Sequence, residues 1–231
     1  MPRRCLVTGA NRGLGLEFVH QLLARGDRVV ATCRVPGKAS ALNQLVGEHP
    51  GRLHVMPLEL PAARSIAELV REVEALDLAI DLLINNAGLL VNGERFGGIE
   101  GKALSDSFAA NAEGPFLLTQ ALAPQLSEPA KVVNLSTGLG SITRTDSLYS
   151  PSYAISKAAL NMATKLLSIA LRDAGVTVIA LSPGWVRTDM GGSGAPLAPE
   201  QSIASMLRVI DGLKMSDSGH FLTETGESMP W

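Results

Sequence analysis

Short apolar runs, each followed by a turn and a stretch with helical periodicity, recur along the chain and constrain its fold more than any other feature. Most of the runs are apolar throughout rather than alternating with polar residues, which is typical of strands that are covered on both faces. They therefore indicate a parallel sheet. The runs lie at residues 4–8, 28–33, 53–58, 80–86, 131–136, 176–182 and, with a weaker pattern, 219–223.

Helical periodicity fills the intervals between these runs. Right-handed crossovers between parallel strands place the helices on both faces of the sheet. No linker, low-complexity tract or charge block interrupts the alternation, so the whole chain, residues 1–231, is predicted to form a single α/β domain. The expected architecture is a Rossmann fold, a doubly wound parallel sheet of about seven strands. The predicted helices lie at 13–25, 38–47, 62–76, 101–126, 152–174 and 199–211, and the sequence EGP at 113–115 is expected to break the fourth.

The composition excludes several classes of protein. Hydrophobic residues make up 46% of the chain, charged residues 18%, and the formal net charge is -2, which is unlike the basic surface of a nucleic-acid-binding protein. The N-terminal sequence MPRRCLVTGA reaches a glycine turn after a few apolar residues, which predicts neither a signal peptide nor a membrane span. We therefore expect a cytoplasmic protein with no membrane or nucleic-acid partner. Its cysteines, Cys5 and Cys33, are expected to be reduced, and its scattered histidines predict no metal site.

A glycine-rich sequence, TGANRGLG at residues 8–15, follows the first apolar run. Gly9, Gly13 and Gly15 lack side chains at a strand-to-helix turn, so a pyrophosphate can approach the backbone amides at the helix N-terminus. The spacing differs from the GxGxxG fingerprint, and such a turn can also be purely structural. Its position on the first strand favours a dinucleotide-binding site.

The end of the second strand indicates which dinucleotide binds. A carboxylate there would bond the ribose hydroxyls of NAD, but the sequence reads Thr32, Cys33 and Arg34. Arg12, in the glycine turn, and Arg34 could together bind a 2′-phosphate, although both could also be solvated surface charges. The expected cofactor is therefore NADP(H), with NAD(H) less favoured.

The tyrosines of the chain, Tyr149 and Tyr153, stand four positions apart. Tyr153 and Lys157 lie four apart on a predicted helix, so the phenol and the ammonium share one face and can be neighbours. A nearby ammonium favours the phenolate and makes the pair an acid/base candidate, although an ordinary helix-surface pair has the same spacing. Tyr149 precedes Pro151 and is expected to lie before the helix, as a wall of the pocket.

Further motifs occur in order along the chain: NNAG (85–88), Asn111 in AANAEGPF, NLSTGLGSI (134–142), YAISK (153–157) and SPGWVRTDM (182–190). With these motifs and TGANRGLG, the chain resembles the short-chain dehydrogenase/reductase family over essentially its full length. Within the family it is most similar to the branch of C-factor-like and sniffer-like carbonyl reductases, on the basis of NLSTGLGSI, PGWVRTDMGG and the terminal GESMPW.

The resemblance implies a set of catalytic residues. Tyr153 would be the general acid, Lys157 would lower its pKa and hold the nicotinamide ribose, and Asn111 would organise a water relay behind the lysine. A hydroxyl would orient the substrate carbonyl. The family usually has a serine where this chain has Thr137, and threonine can donate the same hydrogen bond, so Thr137 is the favoured candidate. Ser136 is the alternative and Ser141 a weaker third.

The resemblance also implies cofactor contacts beyond the glycines and arginines. In the glycine turn these are Asn11 and Leu14. After the third strand they are Glu59, where the family commonly has an aspartate that touches the adenine, and Leu60. Asn85, Asn86, Ala87 and Gly88 would border the adenosine side and steady the sheet. The segment from Pro183 to Thr188, with Gly184 and Val186, would cover the nicotinamide and bond its carboxamide.

These expectations together indicate a reductase that transfers hydride from NADPH to a small aldehyde or ketone. Residues 190–202, MGGSGAPLAPEQS, combine mobile glycines with prolines and are expected to form a substrate lid, with an exposed connecting turn as the alternative. Two rival functions are an NADP-binding signalling or redox-sensing protein with little turnover, and an epimerase or dehydratase. The latter would normally carry an acid after the second strand and a larger C-terminal region. A homodimer is the expected assembly, because the apolar stripe LNMATKLLSIAL (160–171) can serve both the sheet and a partner, although core burial accounts for much of it.

Overall fold

A seven-stranded parallel sheet forms the centre of the structure, a computed structural model that describes residues 2–231. The strand order is β3-β2-β1-β4-β5-β6-β7, and each strand runs parallel to its neighbours. This is the predicted doubly wound arrangement. The strands are β1 (Arg4–Val7), β2 (Arg28–Cys33), β3 (Leu53–Pro57), β4 (Ile80–Asn85), β5 (Leu126–Leu135), β6 (Val176–Leu181) and β7 (Phe221–Leu222).

Helices cover both faces of the sheet. On one face, residues such as Phe18, Leu42 and Leu207 join a core cluster with alternate residues of the strands. On the other face, Leu69, Leu118 and Leu167 do the same. The helices are α1 (Gly13–Ala24), α2 (Ser40–Glu48), α3 (Ala63–Ala75), α4 (Gly101–Phe108), α5 (Gly114–Leu122), α6 (Pro151–Ala170) and α7 (Pro199–Gly212).

The first strand shows why the apolar runs do not alternate with polar residues. Cys5 and Val7 pack into the cluster with α1, α2 and α7, whereas Leu6 packs into the cluster with α3, α5 and α6. Successive side chains of a strand point to opposite faces, and here both faces are buried, so every position must be apolar. The predicted single-domain Rossmann fold is confirmed.

The helix predicted at 101–126 does not break at 113–115, so that prediction is wrong. The chain stays helical and widens into a π-helical segment, Ala109–Glu113, which joins α4 to α5. Pro115 cannot donate the N–H that an α-helix would give to the carbonyl of Asn111, and the wider turn accommodates this loss. The sheet strand that follows also begins earlier than the apolar run indicates, at Leu126.

The strand order changes direction at β1, so the connections after the neighbouring strands β1 and β4 lead to helices on opposite faces of the sheet. In open α/β sheets the ligand crevice lies at this switch point. TGANRGLG, NNAG, NLSTGLGSI and SPGWVRTDM all fall at the carboxyl ends of strands, so the fold brings the sequence motifs to one edge. Within residues 2–231, no helix is long and apolar enough to cross a bilayer.

Candidate active site

The glycine turn between β1 and α1 lies directly against the loop that follows β4. Gly9 has φ +63°, and a Cβ on it would come within 2.8 Å of the Cα of Ala87. A Cβ on Gly15 would lie 2.4 Å from the carbonyl oxygen of Gly9 and 2.5 Å from Nδ2 of Asn86. A Cβ is therefore excluded at Gly9 and Gly15, where the backbone and the Asn86 amide pass too close. The first N–H groups of α1 have no acceptor within the helix, so they stay available to a ligand at its N-terminal end.

Asn86 braces the turn from the side of β4. Its Nδ2 donates to the carbonyl oxygens of Thr8 (2.8 Å) and Gly9 (3.1 Å). The hydroxyl of Thr8 in turn accepts from the backbone N–H groups of Asn86 and Ala87, both at 3.0 Å. Thr8 was not among the sequence-derived site residues, although it begins the TGANRGLG motif. Both hydrogens of the Asn86 amide are used in fixing the turn.

Asn85 is buried inside the sheet. Its Nδ2 donates to Oγ1 of Thr119 on α5 (3.1 Å) and to Oδ1 of Asn134 on β5 (2.8 Å), and Asn134 donates to Thr164 on α6 (2.9 Å). This polar chain crosses from one helix to another beneath the site. Because Asn85 is 1% exposed, the structure supports its expected role in steadying the sheet and excludes contact with adenosine.

The two arginines expected at a 2′-phosphate are exposed. Arg12 forms an ion pair with Asp189 (Nη1 to Oδ2, 2.8 Å), a partner that the sequence did not indicate. The two side chains are 71% and 81% exposed, and pairs of this kind contribute little to stability. Arg34 lies in solvent directly after β2, whose last residues, Thr32 and Cys33, are buried.

The remaining adenosine-side candidates occupy different environments. Asn11 and the side chain of Glu59 are exposed, and the backbone N–H of Glu59 donates to Ser65 (2.9 Å). Leu14 packs against the core cluster under α1. Leu60 contacts the end of the π-helical segment, since a Cβ on Gly114 would lie 2.8 Å from the Cβ of Leu60.

Helix α6 brings Tyr153 and Lys157 together. The ammonium nitrogen of Lys157 lies 5.7 Å from the centroid of the Tyr153 ring. It donates a 2.6 Å hydrogen bond to the carbonyl oxygen of Leu135, at the end of β5, and a Cβ on Gly88 would lie 3.9 Å from it. The lysine is therefore held between the ends of β4 and β5, with Tyr153 one helical turn away. Tyr149 lies before α6, as predicted, with its side chain exposed.

Asn111 links the loop after β4 to helix α6. Its Oδ1 accepts from the N–H of Leu89 (2.7 Å), and its Nδ2 donates to the carbonyl oxygen of Leu89 (2.8 Å) and to Oγ of Ser156 (2.8 Å). Ser156 then donates to the carbonyl oxygen of Tyr153 (2.7 Å). Ser156 was missed, although it stands inside the YAISK motif. The π-helical segment thus presents an amide that fixes both the loop and the turn of α6 that carries Tyr153.

The three candidate hydroxyls have different partners. Ser136 is buried and donates to Oδ1 of Asn161 on α6 (2.6 Å). Ser141 is fully buried and donates to the carbonyl oxygen of Pro230 (2.7 Å). Thr137 is half-buried, and its hydroxyl only accepts, from the N–H of Leu139 (3.3 Å). Among the three, Thr137 alone keeps its hydroxyl hydrogen free for another acceptor in the part of the chain that is described.

The segment after β6 crosses in front of the glycine turn. A Cβ on Gly13 would lie 3.9 Å from Cγ2 of Thr188 and would meet nothing closer, so open space separates the two. Pro183 accepts from Ser202 (2.7 Å), and a Cβ on Gly184 would collide with Leu197 at 2.7 Å. These contacts fix the start of the segment against α7.

The expected lid is tied down at both ends. Arg187 donates to the carbonyl oxygens of Ala195 (3.0 Å) and Pro196 (2.8 Å), and Val186 forms a β-bridge with Leu197. Nε1 of Trp185 donates to the carbonyl oxygen of Gly191 (2.8 Å). Residues 199–202 are not part of a loop, because they form the first turn of α7. The lid proposed for 190–202 is therefore shorter than the sequence pattern indicates.

Burial shifts the pKa values of the Tyr153–Lys157 pair in opposite directions. Burial raises the pKa of Tyr153 to about 12 and lowers the pKa of Lys157 to about 8, because each group loses water that would stabilise its charged form. The resemblance implied the reverse for the tyrosine, but loss of solvent outweighs the ammonium in the protein alone. The phenol is therefore protonated at neutral pH. Among residues 2–231, no cluster of three or more His, Cys, Asp or Glu is placed to hold a metal ion.

The lowered pKa of Lys157 predicts a pH dependence of stability. The folded protein releases this proton near pH 8, whereas the unfolded chain keeps it until about pH 10.5, so the free energy of unfolding rises with pH in that window. In Lys157→Met this rise is absent. From about pH 7.5 to about pH 9.5, we expect the wild type to gain about 2 kcal/mol relative to the variant, measured by urea denaturation.

The control for this experiment is Lys165→Met, which removes an exposed lysine from the same helix. This variant should follow the pH dependence of the wild type. Parallel curves for the wild type and Lys157→Met would show that the Lys157 ammonium is not destabilised by burial.

Comparison with known proteins agrees with this geometry. A family model described as short chain dehydrogenase matches residues 3–196. The chain is 40% identical over 154 residues to C-signal of Myxococcus xanthus, an alignment that covers 66% of this chain and 93% of the relative. Among solved structures, the carbonyl reductase Sniffer of D. melanogaster is 31% identical with a TM-score of 0.95 and covers 100% of both chains. An NADPH-bound carbonyl reductase from chicken fatty liver is 38% identical with a TM-score of 0.93, covering 100% of this chain and 99% of the other.

The matched region contains the glycine turn, the asparagine of the π-helical segment and the Tyr153–Lys157 pair, and the solved structures superimpose along the whole chain. With motifs, strand order and similarity in agreement, the chain belongs to the short-chain dehydrogenase/reductase family, in the branch of C-factor-like and Sniffer-like proteins.

Proposed function

We propose that the protein is an NADP(H)-dependent carbonyl reductase that converts a small aldehyde or ketone to an alcohol. The observation that carries the proposal is the Tyr153–Lys157 pair, with the ammonium 5.7 Å from the phenol ring at the carboxyl edge of the sheet. The names of the similar carbonyl reductases support the same reaction. Reduced thiols at Cys5 and Cys33, both buried and free, support a cytoplasmic location.

The residues at the crevice fit a dinucleotide. Close contacts at Gly9 and Gly15 keep those two positions free of side chains beside the N-terminus of α1, where a pyrophosphate can accept from N–H groups. Arg12 and Arg34 would bind the 2′-phosphate, and Thr188 would bond the nicotinamide carboxamide. When bound, NADPH supplies the hydride.

The chain's own residues would handle the proton and the developing charge. Thr137 would donate a hydrogen bond to the substrate carbonyl, which orients it and stabilises negative charge on its oxygen. Tyr153 would transfer its proton to that oxygen as hydride reaches the carbonyl carbon, so that the C=O double bond becomes a C–O single bond carrying O–H. The Lys157 ammonium would stabilise the resulting phenolate electrostatically.

Tyr153→Phe tests the reaction. General acid catalysis contributes about 10²- to 10⁴-fold, so we expect kcat for NADPH oxidation to fall by at least about 10²-fold across a panel of aldehydes, ketones and quinones. Binding of NADPH, followed by fluorescence, should be nearly unchanged. Tyr149→Phe removes the other phenol and should keep full turnover. Undiminished kcat in Tyr153→Phe would refute the role of Tyr153 as proton donor, whereas a wild type that binds NADPH but turns over no compound of the panel would favour a cofactor-binding protein with little turnover.

The preference for NADP(H) predicts an effect confined to one cofactor. Charged hydrogen bonds contribute about 1.5–3 kcal/mol, so Arg34→Ala and Arg12→Ala should each raise KM for NADPH by about 10- to 100-fold. KM for NADH should change little, because NADH lacks the 2′-phosphate. Arg64→Ala, at an exposed arginine on α3, is the matched control. Equal effects on both cofactors would contradict the assignment.

We also propose that the protein forms a homodimer through an outer stripe of α6. Ile155, Met162, Leu166 and Ile169 are each more than half exposed, and their spacing puts them on one helix face. A second copy would cover this stripe.

Light scattering should give twice the monomer mass for the wild type and the monomer mass for Leu166→Glu. Val46→Glu on α2 should keep the wild-type mass. A monomeric wild type would refute the dimer.

A further inference from the structure

Glu94 lies in the loop between β4 and α4, and the site described above assigns it no function. Its carboxylate reaches the first turn of α6. Oε2 accepts from the backbone N–H of Ser152 at 3.1 Å, and Oε1 accepts from the hydroxyl of the same serine. Ser152 is 1% exposed, so both hydrogen bonds are made to a buried residue. Both oxygens of one glutamate therefore hold the residue that directly precedes Tyr153.

Helix α6 has no side-chain cap of its own at its N-terminus. The N-cap residue, Ser150, has φ +45° and makes no side-chain capping bond. Pro151 has no N–H, so Ser152 carries the first N–H of α6 that needs a partner outside the helix. A carboxylate is the favoured partner there, because the N-terminal end of a helix carries partial positive charge. The cap is thus supplied from 58 residues earlier in the chain.

The other end of the same loop is fixed to α6 as well. Leu89 is bonded through its N–H and its carbonyl to the side chain of Asn111, which donates to Ser156. Ser156 donates to the carbonyl oxygen of Tyr153. The loop from 89 to 94 therefore holds the helix at Ser152 on one side of Tyr153 and, through Asn111, at Ser156 on the other.

We propose that Glu94 is a positioning residue for carbonyl reduction: by holding Ser152 it sets the place of the first turn of α6 and thereby of the Tyr153 hydroxyl. The inference rests on the function proposed above. Glu94 touches neither reacting atom and acts only through Ser152. The same carboxylate couples the loop after β4 to the catalytic turn, so a shift of that loop displaces the proton donor.

The test compares Glu94→Ala, Glu94→Gln and Ser152→Ala with the wild type. A displacement of about 1 Å at a reacting group can reduce the rate by about 10²-fold, so we expect kcat of Glu94→Ala to fall by that factor. Glu94→Gln keeps an acceptor for the N–H of Ser152 and should recover most of the loss. Ser152→Ala keeps the hydrogen bond from the backbone N–H to Glu94, so its kcat should lie between those of Glu94→Ala and Glu94→Gln. The double variant Glu94→Ala/Ser152→Ala should have the kcat of Glu94→Ala, because Glu94→Ala alone already removes the contact between the two residues.

Two further measurements separate positioning from general destabilisation. In Glu94→Ala the dissociation constant for NADPH should stay within about threefold of the wild-type value, because displacement of the proton donor reduces kcat, by about 10²-fold, and not cofactor binding. The solvent deuterium isotope effect on kcat should increase, since proton transfer from a displaced phenol becomes slower. The control is Glu100→Gln, which removes the charge of another glutamate of the same loop whose side chain does not cap α4.

The outcomes are distinct. If Tyr153→Phe loses turnover and Glu94→Ala keeps kcat within about threefold of the wild type, this inference is wrong and the proposed function stands. Should Glu94→Ala lose NADPH binding and kcat together, or Glu94→Gln fail to recover kcat while remaining folded, Glu94 has a structural role only. Full turnover in Tyr153→Phe would overturn Tyr153 as the proton donor and this inference with it, and absence of turnover in the wild type would overturn the proposed function.

Discussion

The buried ammonium of Lys157 is the constraint on which the rest of the site depends. A charge removed from water is strongly destabilising unless it is paired or hydrogen-bonded, and this one is 4% exposed with a single protein acceptor, the carbonyl oxygen of Leu135. The neighbouring positions are restricted accordingly. Gly140 lets the backbone of its loop approach Lys157, since a Cβ there would lie 2.9 Å from the lysine Cβ. The lowered pKa is the direct consequence of keeping a cation in this place.

Rigid supports surround this group on three sides. Thr8 and Asn86 bind the glycine turn to the loop after β4, Asn85 and Asn134 connect the two central strands to helices on one face, and Asn111 fixes the π-helical segment to α6. The amides of Asn86 and Asn111 each bond several partners and so hold a single geometry, whereas Oδ1 of Asn85 is buried without a partner among residues 2–231. The candidate site is therefore organised by the fold itself.

Sequence patterns predicted the elements in which local spacing and residue polarity determine which side chains are buried. The strands were predicted because burial on both faces requires apolar residues throughout, and the Tyr153–Lys157 neighbourhood follows from helical spacing alone. The prediction of a break at 113–115 was wrong, because Gly114 and Pro115 disfavour a helix by their own backbone properties but contacts from elsewhere in the fold were not visible in the sequence. In the structure, contact of Gly114 with Leu60 and packing against the sheet keep the segment helical. Residues 199–202 fell both in the expected lid and in the helix predicted at 199–211, and they belong to the helix, because Pro199 provides an N-terminal position.

Contacts between segments far apart in the sequence could not be predicted from it. Glu94 and Ser152, or Arg12 and Asp189, are ordinary polar residues whose pairing depends on how the loops meet after folding. The two pairs also differ physically. Arg12 and Asp189 are both largely exposed, so water competes for the pair and an incoming phosphate can replace Asp189 at little cost. Glu94 meets a buried N–H and a buried hydroxyl, for which water cannot substitute without opening the start of α6. The first contact is therefore readily exchanged, which suits the phosphate site proposed at Arg12, and the second is harder to replace, which suits the support proposed for Tyr153.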